Sequence, residues 1–284
     1  MNLNISMWSG LFYDMTPEQA VQQLSNADYR FMELSTEHSE RLLEREGTAE
    51  EIGRAFGAFA REQGITVGQG HLYIKADLCN PASVPLLQKW LDLYQAIGIR
   101  SAVLHAAAPT DTPEERQHEL RVAHLNQLTQ HIKGGDITIC LENLGSFPPC
   151  HTSRKLLKLI DDVDDNSRLG ICLDTGHLHR VNFQELDNQS FEEFILSAGS
   201  RLKALHINGN NGLLDDHLMP YTGSKNLDWK PVMRSLAAVG YDRLFNMELP
   251  GEKKAPLQVR MLKLEYLKKL CTYMASEEYL NADK

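Results

Sequence analysis

The sequence predicts an α/β fold closed into a (β/α)8 barrel, the TIM barrel, on three observations. Eight short apolar or β-branched runs alternate with longer stretches of helical period. A new run begins roughly every 30 to 40 residues, and eight such units over about 250 residues are what a closed parallel barrel requires. No Gly/Ser/Pro-rich linker or shift in composition divides the chain, so residues 1–284 read as one domain. A doubly wound open sheet is the runner-up.

In chain order the strand candidates are NLNIS, FMELS, ITVGQGH, SAVLH, ITICLEN, LGICLD, LKALHIN and LFNMELP. Between them lie PEQAVQQLSNA, ERLLEREGTAEEIGRAFGAFAREQG, PASVPLLQKWLDLYQAIG and EERQHELRVAHLNQLTQHIKGG, whose apolar residues recur every three or four positions. These are amphipathic helices. The tail LQVRMLKLEYLKKLCTYMASEEYL reads as a last helix that frays at its end. With 42% hydrophobic and 24% charged residues among 284, the chain can bury a sizeable core.

Composition narrows function. A net charge of −9 disfavours broad attraction to nucleic acid, and the Lys/Arg clusters are few and short. No stretch approaches the roughly 18 apolar residues of a membrane span, and MNLNISMWSG lacks the basic region and long apolar run expected of a signal peptide. The five scattered cysteines, none in CxxC spacing, argue against a disulfide framework and for a reducing cytoplasm. No nucleotide-binding glycine motif or nucleophile elbow occurs. Apolar residues on the outer helices would permit a homo-oligomer.

The chemistry is written at the strand ends, where barrel active sites lie. Seven of the eight runs finish in a carboxylate or an imidazole: Glu33, His71, His105, Glu142, Asp174, His206 and Glu248. His177 follows Asp174 in LDTGH, and Asp215 and His217 follow the seventh run in LLDDHLMP. A closed barrel converges these side chains on one pocket. Several buried carboxylates and imidazoles repel and desolvate one another unless a cation compensates them. Mixed oxygen and nitrogen donors suit Zn, Mn, Co or Fe better than the all-oxygen shells of Ca or Mg. Asp174 is therefore expected to be a metal ligand, with a turn at Gly176 placing His177 beside it.

Taken together, LEN, LDTGH, LHIN with DDHL, and MEL resemble the xylose isomerase-like TIM-barrel superfamily over nearly the whole chain. That superfamily includes sugar isomerases, sugar and sugar-phosphate epimerases and zinc apurinic endonucleases. Resemblance to the sugar branch implies one divalent metal per chain, Mn, Co, Mg or Zn, held by Glu142, Asp174, His206 and Glu248. Glu142 and Glu248 would also be the catalytic acid/base pair, and His177 and His71 would touch substrate oxygens. A base removes the proton beside a carbonyl, a Lewis acid stabilises the enediolate, and the proton returns to the other face or the neighbouring carbon. Dehydration of an inosose would begin with the same abstraction.

Resemblance to the endonucleases implies instead up to three zinc ions on His71, His105, Glu142, Asp174, His177, His206, Asp215, His217 and Glu248, with nucleic acid as partner. The loops HLYIKADLCNP, HAAAPTDTPEERQ and NGNNGLLDDHLMPYTGSKN are polar or acidic with few Arg, which favours a small sugar or sugar phosphate. Two departures stand out: MPYTGSKNLDW replaces a Gly-rich PPGxG loop, and Ala106 to Ala108 replaces a Pro-Gly.

Plainer readings exist for other residues. Glu33 would cap the barrel mouth or pair with an Arg. Trp8, Phe12 and Tyr13 would wall a sugar pocket or pack at the mouth. His38, His118, His124, His131, His151 and His179 end no strand and read as surface or helix residues.

Overall fold

A computed structural model describes residues 3–223, 227–250 and 253–282. Expectations for the start of NLNIS, positions 224–226 of the MPYTGSKN loop, the first two residues of GEKKAP and the last two of the chain therefore lie outside the described residues. The eight runs become β1 (Asn4–Trp8), β2 (Phe31–Leu34), β3 (Thr66–His71), β4 (Ser101–Leu104), β5 (Thr138–Glu142), β6 (Leu169–Asp174), β7 (Leu202–His206) and β8 (Leu244–Met247). All pair in parallel with their sequence neighbours from β1 to β7, and β1 also pairs with β8. The remaining seam, between β7 and β8, is bridged at Ile207 and Met247. There the Ile207 N–H donates to Asn246 O at 2.8 Å and the Glu248 N–H to Ile207 O at 3.2 Å. The sheet is thus a nearly closed barrel, and the open-sheet runner-up is set aside.

Around it run α1 (Pro17–Asn26), α2 (Thr36–Leu43), α3 (Ala49–Glu62), α4 (Ser83–Ile97), α5 (Glu114–His131), α6 (Ser153–Asp161), α7 (Thr175–Phe183), α8 (Phe191–Ala198), α9 (Trp229–Ala238), α10 (Leu257–Met274) and α11 (Glu277–Asn281). Two expected single helices are each divided. The ERLLEREG segment breaks at Gly47, whose φ of +115° suits glycine, and Thr48 then opens α3 through a capping box with Glu51. The tail breaks at Ser276, whose side chain accepts from the Tyr279 N–H and starts α11. Among the described residues no helix is long and apolar enough to cross a membrane.

The main core lies between sheet and helices, where strand residues such as Met32, Leu141, Ile171 and Phe245 meet Leu24, Phe56, Trp90 and Leu128. Inside the barrel a second, small cluster is formed by Val103, Cys140, Cys172 and Ala204. All five cysteines are buried and unpaired by disulfides. Three histidines expected at the surface or on helices are buried: His38 and His124 on their helices, and His151 in the segment leading to α6. His38 is fixed between the Ser9 hydroxyl at 2.9 Å and the Met15 carbonyl at 3.2 Å.

The closest helix contact is set by glycine. A Cβ on Gly53 would stand 2.6 Å from the Leu93 carbonyl oxygen, and one on Gly57 2.6 Å from that of Ile97. Gly57→Ala should raise helix propensity yet force α3 off α4, an overpacking cost of about 1–3 kcal/mol. Thermal and urea unfolding should show a lowered midpoint; an unchanged or raised one would mean that the two helices separate freely.

Candidate metal centre and active site

Strand periodicity builds the site in two layers. Side chains two residues apart share a face, so the inward positions after Val103, Cys140, Cys172 and Ala204 are His105, Glu142, Asp174 and His206. The small cluster is the floor on which the polar layer stands. His71 ends β3, and Glu248 follows β8 by one residue. His177 belongs to the first turn of α7, while Asp215 and His217 come from the loop after β7, His217 with a φ of +47°.

Glu142 is the hub. Its Oε2 lies 3.3 Å from His71 Nε2 and 3.2 Å from His105 Nε2, and its Oε1 lies 3.2 Å from His177 Nδ1 and 3.4 Å from His206 Nδ1. His206 Nδ1 also lies 3.2 Å from Glu248 Oε2 and 4.0 Å from Asp174 Oδ2. A wing extends outward, where Asp215 meets His177 Nε2 and His217 Nε2, each at 3.2 Å. Every residue expected at the site is therefore brought into one continuous cluster.

Four of its imidazoles have the second ring nitrogen held from outside. His71 Nδ1 meets the Leu72 carbonyl at 2.8 Å, His177 Nδ1 that of Asn143 at 2.9 Å, and His217 Nδ1 that of Glu248 at 3.2 Å. His206 Nε2 meets Glu33 Oε1 at 2.9 Å, and the other Glu33 oxygen accepts from Asn246 Nδ2. An outer acceptor fixes the tautomer and turns the lone pair of the other nitrogen inward, as metal-ligating histidines require. Glu33 thus neither caps the mouth nor pairs with an Arg: wholly buried, it orients His206.

LDTGH can now be read physically. Asp174 is both a member of the cluster and the N-cap of α7. Its Oδ1 accepts from the His177 N–H at 2.7 Å and its Oδ2 from Asn208 Nδ2 at 2.7 Å. Asn143 exchanges two hydrogen bonds with the Asp174 backbone, at 2.7 and 2.9 Å. Gly176 is not a turn but a close approach inside the helix. A Cβ there would stand 2.0 Å from Asn208 Oδ1.

Electrostatics points to missing positive charge. Burial raises the Glu142 carboxyl, but the His206 and His105 imidazoles outweigh it and hold the group well below the usual carboxylate range. Burial pushes Glu248 up to about 7; His206 and His217 oppose this, while Glu142 and Asp174 add to it. His206 moves the other way. Burial lowers it, yet Glu248, Glu33 and Glu142 carry it well above the ordinary imidazole value. Burial also lowers His217, and Glu248 and Asp215 reverse this to about 9. The carboxylates and imidazoles offset one another's burial, a balance to which a bound cation would add. Glu142 Oε2 and His206 Nδ1, moreover, are buried without a hydrogen-bond partner. Donor atoms within 4.8 Å of one another occur in His71, His105 and Glu142; in Glu142, Asp174 and His206; in His71, His206 and Glu248; and in Asp174, His177 and His217. Such mixed oxygen and nitrogen sets fit a divalent transition metal or zinc.

A cavity of about 160 Å³ opens onto the cluster, and besides its members Trp8, Thr36, Glu37 and Ile74 line it. Of these, sequence reasoning found only Trp8. Phe12, the second aromatic expected there, is buried in the core, and Tyr13 lies under Lys253 Nζ. A larger cavity of about 570 Å³ sits against α8 and α9 and gathers no comparable donors.

A parallel barrel whose strand ends and following segments gather five imidazoles and four carboxylates in one cluster is the architecture of a barrel enzyme. Its family model, the xylose isomerase-like TIM barrel, matches residues 21–270, and the chain belongs to that family. A probable endonuclease 4 of Staphylococcus carnosus is 30% identical over 139 residues, 47% of this chain and 46% of that protein. The chain spans about half the length of the curated relatives it matches. Among solved structures, D-psicose 3-epimerase from Clostridium cellulolyticum H10 superposes with a TM-score of 0.77 at 15% identity, covering 95% of this chain and 99% of that one. The E. coli 3-keto-D-glucoside 4-epimerase gives 0.74 at 14% identity over 94% and 100%. These likenesses establish the shared fold.

Glu33→Gln should keep the barrel intact and weaken divalent-metal affinity by roughly 10- to 100-fold, because the charge behind His206 is lost. Competition with a chromogenic chelator measures this; affinity equal to wild type would show that Glu33 only fills space.

Proposed function

We propose that the protein, read as one domain over 1–284, is a divalent-metal-dependent isomerase or epimerase of a sugar or sugar phosphate. One observation carries the reading: Glu142 from β5 and Glu248 after β8 approach the same atom, His206 Nδ1, at 3.4 and 3.2 Å from strands three places apart around the barrel. Two carboxylates facing one small cavity can serve the two faces of one carbon. Their opposite displacements, one well below its ordinary range and one raised to about 7, are the usual sign of a base and an acid in one site. That sugar epimerases share the fold supports the choice.

Glu142, Asp174, His206 and Glu248 would hold the metal, which supplies Lewis-acid stabilisation of negative charge on the substrate oxygens. The residues of the chain do the rest. One glutamate removes the proton from the carbon beside the carbonyl, and the other returns a proton to the opposite face or to the adjacent carbon. His71 and His177 donate toward substrate oxygens. Trp8 and Ile74 cover the cavity and restrict water.

Glu248→Gln should reduce turnover by about 10²–10⁴-fold while circular dichroism stays that of the wild type. The assay is exchange of solvent deuterium into ketoses; a loss of only a few-fold would remove Glu248 from the acid/base pair.

A second reading is favoured by the outer wing, because His177, Asp215 and His217 form a donor group that a one-metal isomerase does not need. Under it the protein is a zinc apurinic endonuclease. Elemental analysis of unchelated protein, paired with cleavage of an abasic-site duplex, separates the two. About one metal per chain without cleavage is expected; close to three zinc ions with cleavage would replace the first reading with the second.

A further inference from the structure

The lining of the cavity contains a carboxylate that neither the proposed chemistry nor the expected ligand set uses. Glu37 lines the cavity beside Trp8, Thr36 and Ile74. Its Oε2 is buried without a hydrogen-bond partner, and among the described residues no cation pairs with it. A buried acceptor left open costs free energy unless something donates to it.

Its position is tightly built. The flanking residues Thr36 and His38 are both buried. The Thr36 hydroxyl donates to the Leu72 carbonyl at 3.1 Å, tying the start of α2 to the end of β3. On the other side the Ser35 N–H donates to Ser9 Oγ at 2.8 Å, and His38 Nδ1 meets the same oxygen at 2.9 Å. His38 is buried for this purpose. It locks the first turn of α2 against the segment after β1, and Glu37 between the two anchors is held at the cavity wall.

From this we infer that Glu37 selects an unphosphorylated, uncharged sugar, its carboxylate accepting hydroxyl hydrogens at the end of the substrate away from the reacting carbons. The inference rests on the isomerase reading and narrows its substrate. Four observations point the same way. A carboxylate accepts only, and neutral hydroxyls offer it strong charge-assisted bonds. No Lys or Arg lines the cavity among the described residues. The two helix N-termini beside it, those of α2 and α7, already carry acids of their own, Glu37 and Asp174, so neither is open to a phosphate. A cavity of about 160 Å³ is also small beside the roughly 300–1,000 Å³ of drug-sized sites. A terminal phosphate dianion would meet Glu37 with like charge and, among the described residues, no Lys or Arg lining the cavity to offset it.

The test uses the Mn²⁺-saturated protein and its Glu37→Ala and Glu37→Gln variants, with folding checked by circular dichroism. Free ketopentoses and ketohexoses and their terminal phosphates are compared as substrates, and in parallel as calorimetric ligands. The expected result is a kcat/KM at least tenfold higher for free sugars than for phosphates. Glu37→Ala should raise KM for the free sugar at least tenfold with kcat little changed, and Glu37→Gln, which keeps one acceptor, should fall between. A preference for phosphates would overturn the inference and leave the isomerase reading standing. Unchanged KM in Glu37→Ala would overturn the role of Glu37. Absence of turnover on every sugar would count against the isomerase reading instead; the calorimetry then decides the inference, which stands if Glu37→Ala weakens free-sugar binding tenfold and falls if it does not.

Discussion

A carboxylate surrounded by four imidazoles at the centre of a barrel, Glu142, is the constraint on which the surrounding structure depends. Placing that many ionisable groups in a buried space is costly unless every charge and lone pair is answered, and a half-satisfied network is worse than an apolar one. The answer comes from several strands at once. Glu33 on β2, itself bonded by Asn246 on β8, holds His206, the carbonyls of Leu72 and Asn143 hold His71 and His177, and Asn208 after β7 holds Asp174. Below them Val103, Cys140, Cys172 and Ala204 fill the barrel with small side chains. A larger residue in that layer would lift the polar one by more than its hydrogen bonds tolerate.

Much of this was legible in the sequence because a parallel barrel converts a pattern along the chain into a point in space. Once eight runs are recognised, the residue ending each must face the same opening, and Glu142, Asp174, His206, His71 and Glu248 follow without further information. What was not legible depends on contacts between distant elements. Gly176 reads as a turn, yet its smallness is required by Asn208, more than thirty residues away, pressing on the first turn of α7. Asn143 was visible in the LEN motif, but nothing local says that it holds the backbone of Asp174 on the next strand. Glu33 was expected to seek an Arg and finds an imidazole from across the barrel. The division between α2 and α3 did have a local signal, Gly47 followed by the Thr48 and Glu51 capping box, masked by an apolar period that continues through the break.

Glu37 shows a different limit. An acid in the first turn of a helix is what the helix dipole favours anyway, so its presence there carries no functional information. Only the cavity, and a buried Oε2 that has no hydrogen-bond partner among the described residues, distinguish it from the many surface acids of a chain with net charge −9. His38 is similar: a helical histidine by sequence, it is in fact an anchor buried between Ser9 and Met15.

The ligand set by itself does not choose between proton transfer and phosphodiester hydrolysis, because both chemistries need a cation held by the same donors. The division of labour around the barrel bears more directly on that choice. The strand-end donors come mostly from β4 to β8, whereas Trp8 ends β1, Thr36 and Glu37 follow β2, and Ile74 follows β3. Under the proposed reading, metal-holding and recognition of the far end of the substrate would rest mostly on different elements, which can vary separately while the barrel stays closed. A wall made of an indole, an isoleucine, a threonine and a carboxylate is one that the alternating apolar and hydroxylated surface of a sugar would suit. Among the described residues that wall holds no Lys or Arg, so under the proposed reading a polyanionic substrate would meet Glu37 with like charge, a distinction the shared donor set cannot make.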